Sequence, residues 1–291
     1  MPELPEAETV RRGLQTELVG RRVDSFEVTA PRTIRRQLGL ARNASAGDHP
    51  ELRRASAAVD RVVRGQEVLS ADRYGKYLGL GLGRARVVIH LGMSGQLRLV
   101  EADRPLALHT HALFGFDDGR ELRFVDPRTF GEIFLTGDEA WPPPTLAGMG
   151  PDPLIDFPDR AEFARRLGGR RGALKTLLTD QRFLAGIGNI YSDEILFAAR
   201  LRPDRRAEGL SRPAVTRLHQ AVPEILQAAV ERGGSTLADG GYVDLYGRPG
   251  TAQLHHAVHA REGQTCIRCG GTVRRRSWGA RSAYFCPACQ K

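Results

Sequence analysis

The first six residues of the chain, Met1-Pro2-Glu3-Leu4-Pro5-Glu6, place a proline beside two carboxylates. Because initiator methionine is usually removed before a small residue, we expect the mature chain to begin with the secondary amine of Pro2. An α-amine has a pKa of about 7.7–8.0, so a useful fraction is neutral at pH 7 and can attack an electrophilic carbon. The structural alternative is that the prolines stiffen a helix start, whose positive end favours Glu3 and Glu6.

Four cysteines near the end of the chain form two Cys-x-x-Cys pairs separated by 16 residues: Cys266, Cys269, Cys286 and Cys289. This spacing can bring four thiolates into tetrahedral geometry around zinc. Two disulfides or four free thiols are the alternatives, and an intracellular location argues against the disulfides. Because four cysteines leave zinc without an open coordination position, we expect one structural zinc ion rather than a catalytic one.

Three further groups of residues could bind ligands. The glycines of Gly186-Ile187-Gly188-Asn189 would let a phosphate approach main-chain amides at a helix N-terminus, although such a turn can also be a helix break. Lys76 precedes a strand, where a lysine is most often a surface charge. His255, His256 and His259 could form a second metal site, but we favour a surface helix or turn beside the complete cysteine site.

The overall composition limits the kind of partner. With 291 residues, the chain is long enough for about two domains. Its net charge of +9 and pI near 9.9 predict a polyanionic partner, either nucleic acid or an acidic membrane surface. The absence of a long apolar run and of a signal peptide favours a cytoplasmic protein without a membrane partner.

The first half of the chain changes from helical to strand periodicity. Apolar residues at helical spacing predict one amphipathic helix from Glu6 to Val19. Between Arg21 and Leu135 short alternating segments predict strands, with a hairpin turn at residues 117–120, and together they indicate an antiparallel sandwich or barrel. We interpret residues 32–50 as a loop or a peripheral hairpin.

The second half has a helical pattern. Five prolines and two glycines between Gly137 and Pro153 indicate a domain boundary. Helices are predicted at residues 160–167, 173–180, 190–200 and 213–232, followed by a flexible loop at residues 240–250. The chain is therefore predicted to be an α+β protein with a β-sandwich domain (1–137), a linker (138–153), a helical domain (154–239), a loop and connection (240–261) and a zinc finger (262–291).

Five stretches together resemble the formamidopyrimidine-DNA glycosylase family over the whole chain: residues 1–6, Gly75-Lys76-Tyr77, His90-Leu91-Gly92-Met93-Ser94-Gly95, Gly186-Ile187-Gly188-Asn189-Ile190-Tyr191 and the four cysteines. This resemblance implies an N-terminal helix with an antiparallel β-sandwich, a helix-two-turn-helix domain that includes Gly186–Asn189, and a C-terminal zinc finger. It also implies a monomer that binds damaged double-stranded DNA in a basic cleft between its domains.

The chemistry implied by the resemblance is bifunctional excision of oxidised purines such as 8-oxoguanine and formamidopyrimidines. Pro2 would attack the sugar C1′ to form a Schiff base, and Glu3 would protonate the sugar ring oxygen and assist proton transfer. Glu6 would position Pro2. Successive β and δ eliminations would then cut the strand, with Lys76 and Arg281 as proton donors.

The resemblance also implies a set of DNA contacts. Met93, Arg128 and Phe130 would fill the gap left by an extruded nucleotide, which offsets part of the cost of unstacking. Glu194 would lie near the catalytic amine. The full set of expected DNA-binding residues is His90, Met93, His109, Arg128, Phe130, Arg170 and Asn189. For His111 we favour an exposed position on a strand without a DNA contact.

Two departures from the family pattern affect what can be transferred. Thr129 replaces a second arginine, so one phosphate contact should be absent or supplied by another residue. In the loop expected to cover the flipped base, Thr251-Ala252 replaces the usual aromatic, and His259 stands where tyrosine is usual. Two other functions stay open: an endonuclease VIII type glycosylase for oxidised pyrimidines, and a zinc-finger DNA-binding protein without catalytic activity.

Overall fold

The computed structural model describes residues 2–34, 36, 50–137, 141–238, 240–278 and 281–291. These residues form two compact units. The first unit contains Pro2 and the described residues of Glu6–Thr145 and Ser235–Gly250. The second unit contains Glu3–Pro5, Leu146–Gly234 and the described residues of Thr251–Lys291.

The first unit contains two helices and two antiparallel sheets. Helix α1 spans Leu4–Leu18, belongs to this unit from Glu6 onward, and is followed by a 3-10 helix at Pro31–Ile34 and by α2 at Pro50–Val63. One sheet has the order β1-β6-β7-β5, with strands Val23–Val28, Thr110–Phe116, Arg120–Val125 and Gln96–Glu101. The other has the order β2-β3-β4-β8, with strands Ser70–Tyr74, Tyr77–Gly81, Ala85–His90 and Glu132–Gly137. The main segment of this unit ends at Thr145, within a short 3-10 helix at Pro144–Leu146.

Both sheets and both helices contribute to one hydrophobic core. Helix α1 presents Val10, Leu14 and Leu18, all at most 1% exposed, at the spacing that puts them on one face. The sheets add alternating apolar residues such as Phe114 and Ile89. Burial of this surface is the main source of stability in such a core, and the predicted α+β class with an N-terminal helix is confirmed.

The second unit is mainly helical. Its helices are α3 at Arg160–Gly168, α4 at Leu174–Leu178, α5 at Asn189–Ala198 and α6 at Arg212–Glu231, with 3-10 turns at Ala207–Gly209 and Ala252–His255. A hairpin of β9, Arg274–Trp278, and β10, Arg281–Phe285, completes it. Residues 190–197 of α5 are all buried, because α6 and the hairpin pack against this short helix.

The structure corrects one prediction in the first half of the chain. Residues 50–63 form α2, whereas only strands were predicted between Arg21 and Leu135. The helix begins at Pro50, a favourable first position, and buries Val59 and Val63. The loop predicted for residues 32–50 lies largely outside the described residues.

The segment predicted as a flexible loop contains no helix or strand in its described residues, but it is fastened within the first unit. Tyr242 and Leu245 are buried in the hydrophobic core, and the Leu245 carbonyl accepts a hydrogen bond from the Leu99 amide. The Asp244 carboxylate accepts hydrogen bonds from the amides of Tyr246 and Arg248. These bonds fix the turn around a small buried apolar anchor.

Candidate active site and zinc centre

Glu3 is held by the N-terminus of α5 within the second unit. Its carboxylate is 1% exposed and accepts hydrogen bonds from the amides of Gly188 at 2.8 Å, Ile190 at 2.8 Å and Tyr191 at 3.3 Å. A helix N-terminus favours an anion through its free N–H groups and its dipole. The amides predicted to cradle a phosphate therefore hold the side chain of Glu3.

The two glycines before α5 make this contact possible. A Cβ atom on Gly188 would lie 2.4 Å from Cδ of Glu3, and one on Gly186 would lie 2.7 Å from Cβ of Leu4. Gly186 also has φ = 88° and accepts a hydrogen bond from the Leu4 amide. The Gly-x-Gly sequence thus allows the start of the chain to lie directly against this turn.

Pro2 and Glu6 belong to the first unit. Pro2 is buried and is bonded directly to Glu3 along the chain. Glu6 lies in the first turn of α1, is 1% exposed and accepts a 2.7 Å hydrogen bond from the Ser235 amide. Burial and the charge of Glu6 raise the pKa of Tyr242. The carboxylate of Glu6 is therefore held by a main-chain amide of the same unit.

Lys76 lies in the tight turn between β2 and β3 and is 9% exposed. Gly75 adopts φ = 58°, and its carbonyl accepts a hydrogen bond from Arg73 at 3.1 Å. Arg73 also forms a 3.0 Å ion pair with Glu8 on α1. Sequence reasoning missed this buried pair, which fixes the turn that contains Lys76.

The expected gap-filling residues lie on two adjacent loops of the first unit. Met93 is 39% exposed and Phe130 is 46% exposed, and the guanidinium of Arg128 lies 5.1 Å from the Phe130 ring centre. Asp126, which is fully buried, joins the loops by accepting hydrogen bonds from the Ser94 hydroxyl at 2.6 Å and from the Gly131 amide at 2.8 Å. The structure therefore brings two exposed apolar side chains and a cation together.

Two expected DNA contacts, His90 and His109, lie beside these loops, as does His111. His90 ends β4, and its Nδ1 accepts a hydrogen bond from the Gly92 amide at 3.2 Å. His109 is exposed and has φ = 64°, a conformation that is uncommon without glycine. His111 lies on β6 as expected for a strand residue, but it is half-buried rather than exposed, and its Nε2 lies 2.9 Å from the Asp126 carbonyl oxygen.

Arg170 and Asn189 lie in the second unit. Arg170 is exposed just after α3. Asn189 is the first residue of α5, and its side-chain oxygen is buried without a hydrogen-bond partner among the described residues. An amide that lacks an internal partner is suited to a bound ligand.

Glu194 on α5 holds the segment before the zinc finger. The Glu194 carboxylate accepts hydrogen bonds from the amides of Ala257, Val258 and His259 at 2.7–3.0 Å. Burial raises the pKa of Glu194 despite these bonds. The contacts that the structure gives Glu194 are thus to this segment, whereas the resemblance implied a position near the catalytic amine.

The histidines near this segment are not arranged as predicted. His255 is exposed, but His256 and His259 are buried, so the prediction of a surface helix or turn is wrong for these two. His259 Nδ1 lies 2.8 Å from the carboxylate of Asp193. Within the described residues, the histidines join no cluster of possible metal ligands.

The four cysteine sulfurs lie within 4.8 Å of one another. The Cys266–Cys289 and Cys269–Cys286 sulfur distances are 3.8 Å and 3.6 Å. Tetrahedral zinc with Zn–S bonds of about 2.3 Å requires sulfur separations of about 3.8 Å, so the four residues fit one zinc ion. They fill its coordination shell, which makes the site structural.

The zinc-binding residues support the β9–β10 hairpin on which Arg281 lies. Arg281 is the exposed first residue of β10. On β9, Arg274 and Arg276 are exposed, and exposed Arg275 donates a hydrogen bond to Ser282 at 3.0 Å. The strand therefore presents a charged, solvent-facing surface near the proposed proton donor.

Comparisons with known families cover most of the chain. The formamidopyrimidine-DNA glycosylase N-terminal domain matches residues 1–133, and the formamidopyrimidine-DNA glycosylase H2TH domain matches residues 149–240. The zinc finger found in FPG and IleRS matches residues 263–291.

Individual proteins show the same similarity over their full lengths. The chain is 41% identical to the formamidopyrimidine-DNA glycosylase of Laribacter hongkongensis over 292 residues, covering 100% of both, and 43% identical to that of a Parafrankia species, covering 100% of this chain and 98% of the relative. Among solved structures, Lactococcus lactis Fpg in complex with DNA containing an abasic site is 31% identical with a TM-score of 0.86, covering 99% of both chains. The MutM (Fpg) protein of Thermus thermophilus is 40% identical with a TM-score of 0.83, covering 99% of this chain and 98% of that one.

Proposed function

The chain belongs to the formamidopyrimidine-DNA glycosylase family, and we propose that it excises oxidised purines from double-stranded DNA and then cuts the strand at the resulting site. The observation that supports this most directly is the buried carboxylate of Glu3, held by three amides and bonded along the chain to Pro2. DNA binding alone requires neither group.

In the first step, the Pro2 nitrogen attacks C1′ of the damaged nucleotide, and the base leaves with the electron pair of its bond to C1′ and takes up a proton from water. Removal of Met1 exposes the amine that this attack needs. Glu3 accepts the N–H proton that Pro2 loses on attack and passes it to the sugar ring oxygen, which opens the ring and leaves an iminium between Pro2 and C1′. Because main-chain amides fix Glu3 directly after Pro2, the acid and the nucleophile are delivered by adjacent residues.

In the following steps, the iminium acidifies C2′, and loss of a C2′ proton expels the 3′ phosphate by β elimination. A further elimination expels the 5′ phosphate. Lys76 and Arg281 are the proposed proton donors, one on a rigid turn and the other on the zinc-supported hairpin. Glu6 positions Pro2 through its hydrogen bond with Ser235.

The proposed DNA-binding surface combines charge with an apolar wedge. Met93, Arg128 and Phe130 would occupy the gap left by the extruded nucleotide, which is consistent with their exposure on two loops joined by Asp126. The remaining proposed contacts, which have side chains able to donate to phosphate, are His90, His109, Arg170 and Asn189. The Lactococcus lactis relatives were solved with abasic-site DNA and with DNA containing Fapy-dG.

The zinc ion would be held by the four cysteines and would supply structural support only. We also propose that the protein is a monomer and acts in the cytoplasm. The described part of the chain contains no helix that is long and apolar enough to cross a bilayer. The family's formamidopyrimidine name favours oxidised purines over the oxidised pyrimidines of an endonuclease VIII type enzyme.

The proposal is tested by borohydride trapping on a duplex with one 8-oxoguanine opposite cytosine, followed by mass spectrometry of the cross-linked peptide. We expect an adduct on Pro2 that is lost when Met1 is retained. A Glu3→Gln variant keeps the size of the side chain. Relative to wild type, it should lose more of its base-excision activity than of its trapping on an abasic site. Trapping only with an oxidised pyrimidine would favour the endonuclease VIII type, and no trapping with any lesion or abasic site would leave a DNA-binding protein.

A further inference from the structure

A buried chain of polar groups connects His259 to the turn that binds Glu3, all within the second unit. His259 is 7% exposed, and Asp193 and Lys175 are 0% and 2% exposed. His259 Nδ1 lies 2.8 Å from Oδ2 of Asp193, and Oδ1 of the same carboxylate accepts a 2.7 Å hydrogen bond from Lys175 Nζ. Buried polar networks of this kind fix the geometry of their members when each group is satisfied.

Lys175 passes this restraint to α5. Its Nζ also donates to the Asn189 carbonyl at 2.7 Å and to the Ser192 hydroxyl at 2.9 Å. Asn189 and Ser192 form the first turn of α5, and the amides of Gly188, Ile190 and Tyr191 around that turn bind Glu3. The ammonium group of Lys175 therefore holds the turn of backbone whose amides bind the Glu3 carboxylate.

The hydrogen on His259 is assigned by its partner. An ionised carboxylate only accepts hydrogen bonds, so Nδ1 of His259 must be the donor to Asp193. Without this donor, Oδ2 of Asp193 would be a buried charged oxygen with one fewer partner, and the contact of Oδ1 with Lys175 would be left to orient the carboxylate. The hydrogen bond thus acts on the orientation of the carboxylate that Lys175 contacts.

The surroundings of His259 keep its ring in this orientation. The ring lies edge-to-face against Tyr284 at 5.0 Å and against His256 at 5.6 Å. Its own amide donates to Glu194, so neighbouring residues of α5 hold both the backbone and the side chain. A side chain with restricted rotation on a rigid element is suited to orient another group.

We propose that His259 is a positioning residue for Glu3, acting through its Nδ1–H hydrogen bond to Asp193 and through Lys175. The histidine does not touch the reacting atoms. It fixes the amides that hold the carboxylate. Only the effect on catalysis rests on the function proposed above, because the effect on the amides of α5 is a property of the protein alone.

Two substitutions separate the hydrogen bond from the space that the ring fills. His259→Asn keeps an N–H donor close to the place of Nδ1, whereas His259→Leu is of similar size and has no donor. We expect the amide proton signals of Gly188, Ile190 and Tyr191 in ¹⁵N-labelled full-length protein to move in His259→Leu and to stay near their wild-type positions in His259→Asn. Glu3→Gln identifies the signals that report on the carboxylate.

Activity gives a second readout. We expect His259→Leu to lower the single-turnover rate of base excision at least about 10-fold, since small displacements of a reacting group have large effects on rate. Its Kd for a duplex with an uncleavable abasic analogue should rise by less than the rate falls, because Asn189 in the displaced turn is one of several proposed DNA contacts, and His259→Asn should restore most of the rate. If His259 served stability alone, His259→Leu would lower the melting temperature without a larger effect on the excision rate than on the Kd.

Unchanged amide signals and rate in folded His259→Leu would overturn the inference, as would equal losses in both variants. If His259→Leu does not fold, Asp193→Asn, which keeps the size but loses the charge, should move the same amide signals away from their wild-type positions. Unchanged signals in this variant would again overturn the inference. If the wild-type protein excises no lesion, the proposed function fails, and the amide signals alone decide the positioning role.

Discussion

The amide of Gly188 donates a 2.8 Å hydrogen bond to the carboxylate of Glu3, which lies 185 residues earlier in the chain. This contact joins the acid next to Pro2 to the first turn of α5. It depends on the absence of a side chain at residue 188, since a Cβ atom there would lie 2.4 Å from the carboxylate carbon. The glycine at position 188 is therefore required for the orientation of the Glu3 carboxylate.

Replacing Gly188 by alanine should displace Glu3 from the amides. We expect Gly188→Ala to reduce base excision by at least about 100-fold, because the acid loses its orientation. Excision kinetics on an 8-oxoguanine duplex would measure this loss. Gly168→Ala is the matched control, since a Cβ atom on Gly168 meets nothing within 4 Å. Full activity in Gly188→Ala would show that the bound orientation of Glu3 is not required.

Glu8 should make the stability of the first unit depend on pH. Burial alone would raise the pKa of Glu8, but hydrogen bonds from Arg11 and Arg73 outweigh it and lower the pKa from 4.5 to about 2. The ionised form is favoured on folding, so this stabilisation is complete above pH 4.5 and is lost as the pH falls through 2.

Glu8→Gln should therefore be less stable than wild type at neutral pH, and its stability should fall less between pH 4.5 and 2. Urea unfolding at a series of pH values would measure the difference. Glu162→Gln, in an exposed pair with Arg165, is the control and should change stability by less than about 0.5 kcal/mol. Parallel pH curves for wild type and Glu8→Gln would contradict the prediction.

Removal of zinc should unfold the C-terminal hairpin before the rest of the protein. The hydrophobic cluster around the cysteines is small, containing Val258, Val273 and Phe197 among its members. Metal binding supplies much of the folding free energy in such modules. Hydrogen exchange after chelation should show lost protection in residues 263–291 and retained protection in α1. Uniform protection after verified zinc loss would show that the cluster folds without metal.

The sequence predicted those features that depend on local spacing. Helix α1 followed from its apolar period, and the zinc ligands followed from two Cys-x-x-Cys pairs. Helix α2 was missed although its buried residues Ser56, Val59 and Val63 recur at helical spacing, because one of the three is polar and the strand-like segments on either side dominated the interpretation.

Contacts between distant residues could not be predicted in the same way. The ion pair of Glu8 with Arg73 and the hydrogen bond of His259 with Asp193 join residues 65 and 66 positions apart. Each side chain is polar and gives no local sign of burial, so His259 was placed at the surface. The sequence signal that could have indicated the burial of His259 is the adjacent apolar pair Ala257–Val258, both of which are buried in the structure.

Met93 and Phe130 should affect DNA binding without affecting stability. Both are large apolar residues with 39% and 46% exposure, so alanine at either position should change the unfolding free energy by less than about 0.5 kcal/mol. Binding to a lesion duplex should weaken, because the wedge that offsets unstacking is lost. Leu69→Ala, at a residue that is 56% exposed, is the control. If Met93→Ala and Phe130→Ala bind the lesion duplex as tightly as wild type and the control variant do, these residues are not part of the DNA-binding surface.

Arg32 should supply the phosphate contact that Thr129 cannot make. Its guanidinium donates a 3.4 Å hydrogen bond to the Thr129 hydroxyl, which places a cation beside the position where the family pattern has a second arginine. One phosphate contact changes the slope of log K against log salt by about 0.9. Arg32→Gln should therefore flatten the slope for duplex DNA by that amount, and Thr129→Arg added to this variant should restore it. An unchanged slope in Arg32→Gln would show that this arginine does not contact phosphate. The control is Arg22→Gln, which removes one positive charge elsewhere in the unit, at an arginine whose side chain donates a hydrogen bond to the Gly65 carbonyl.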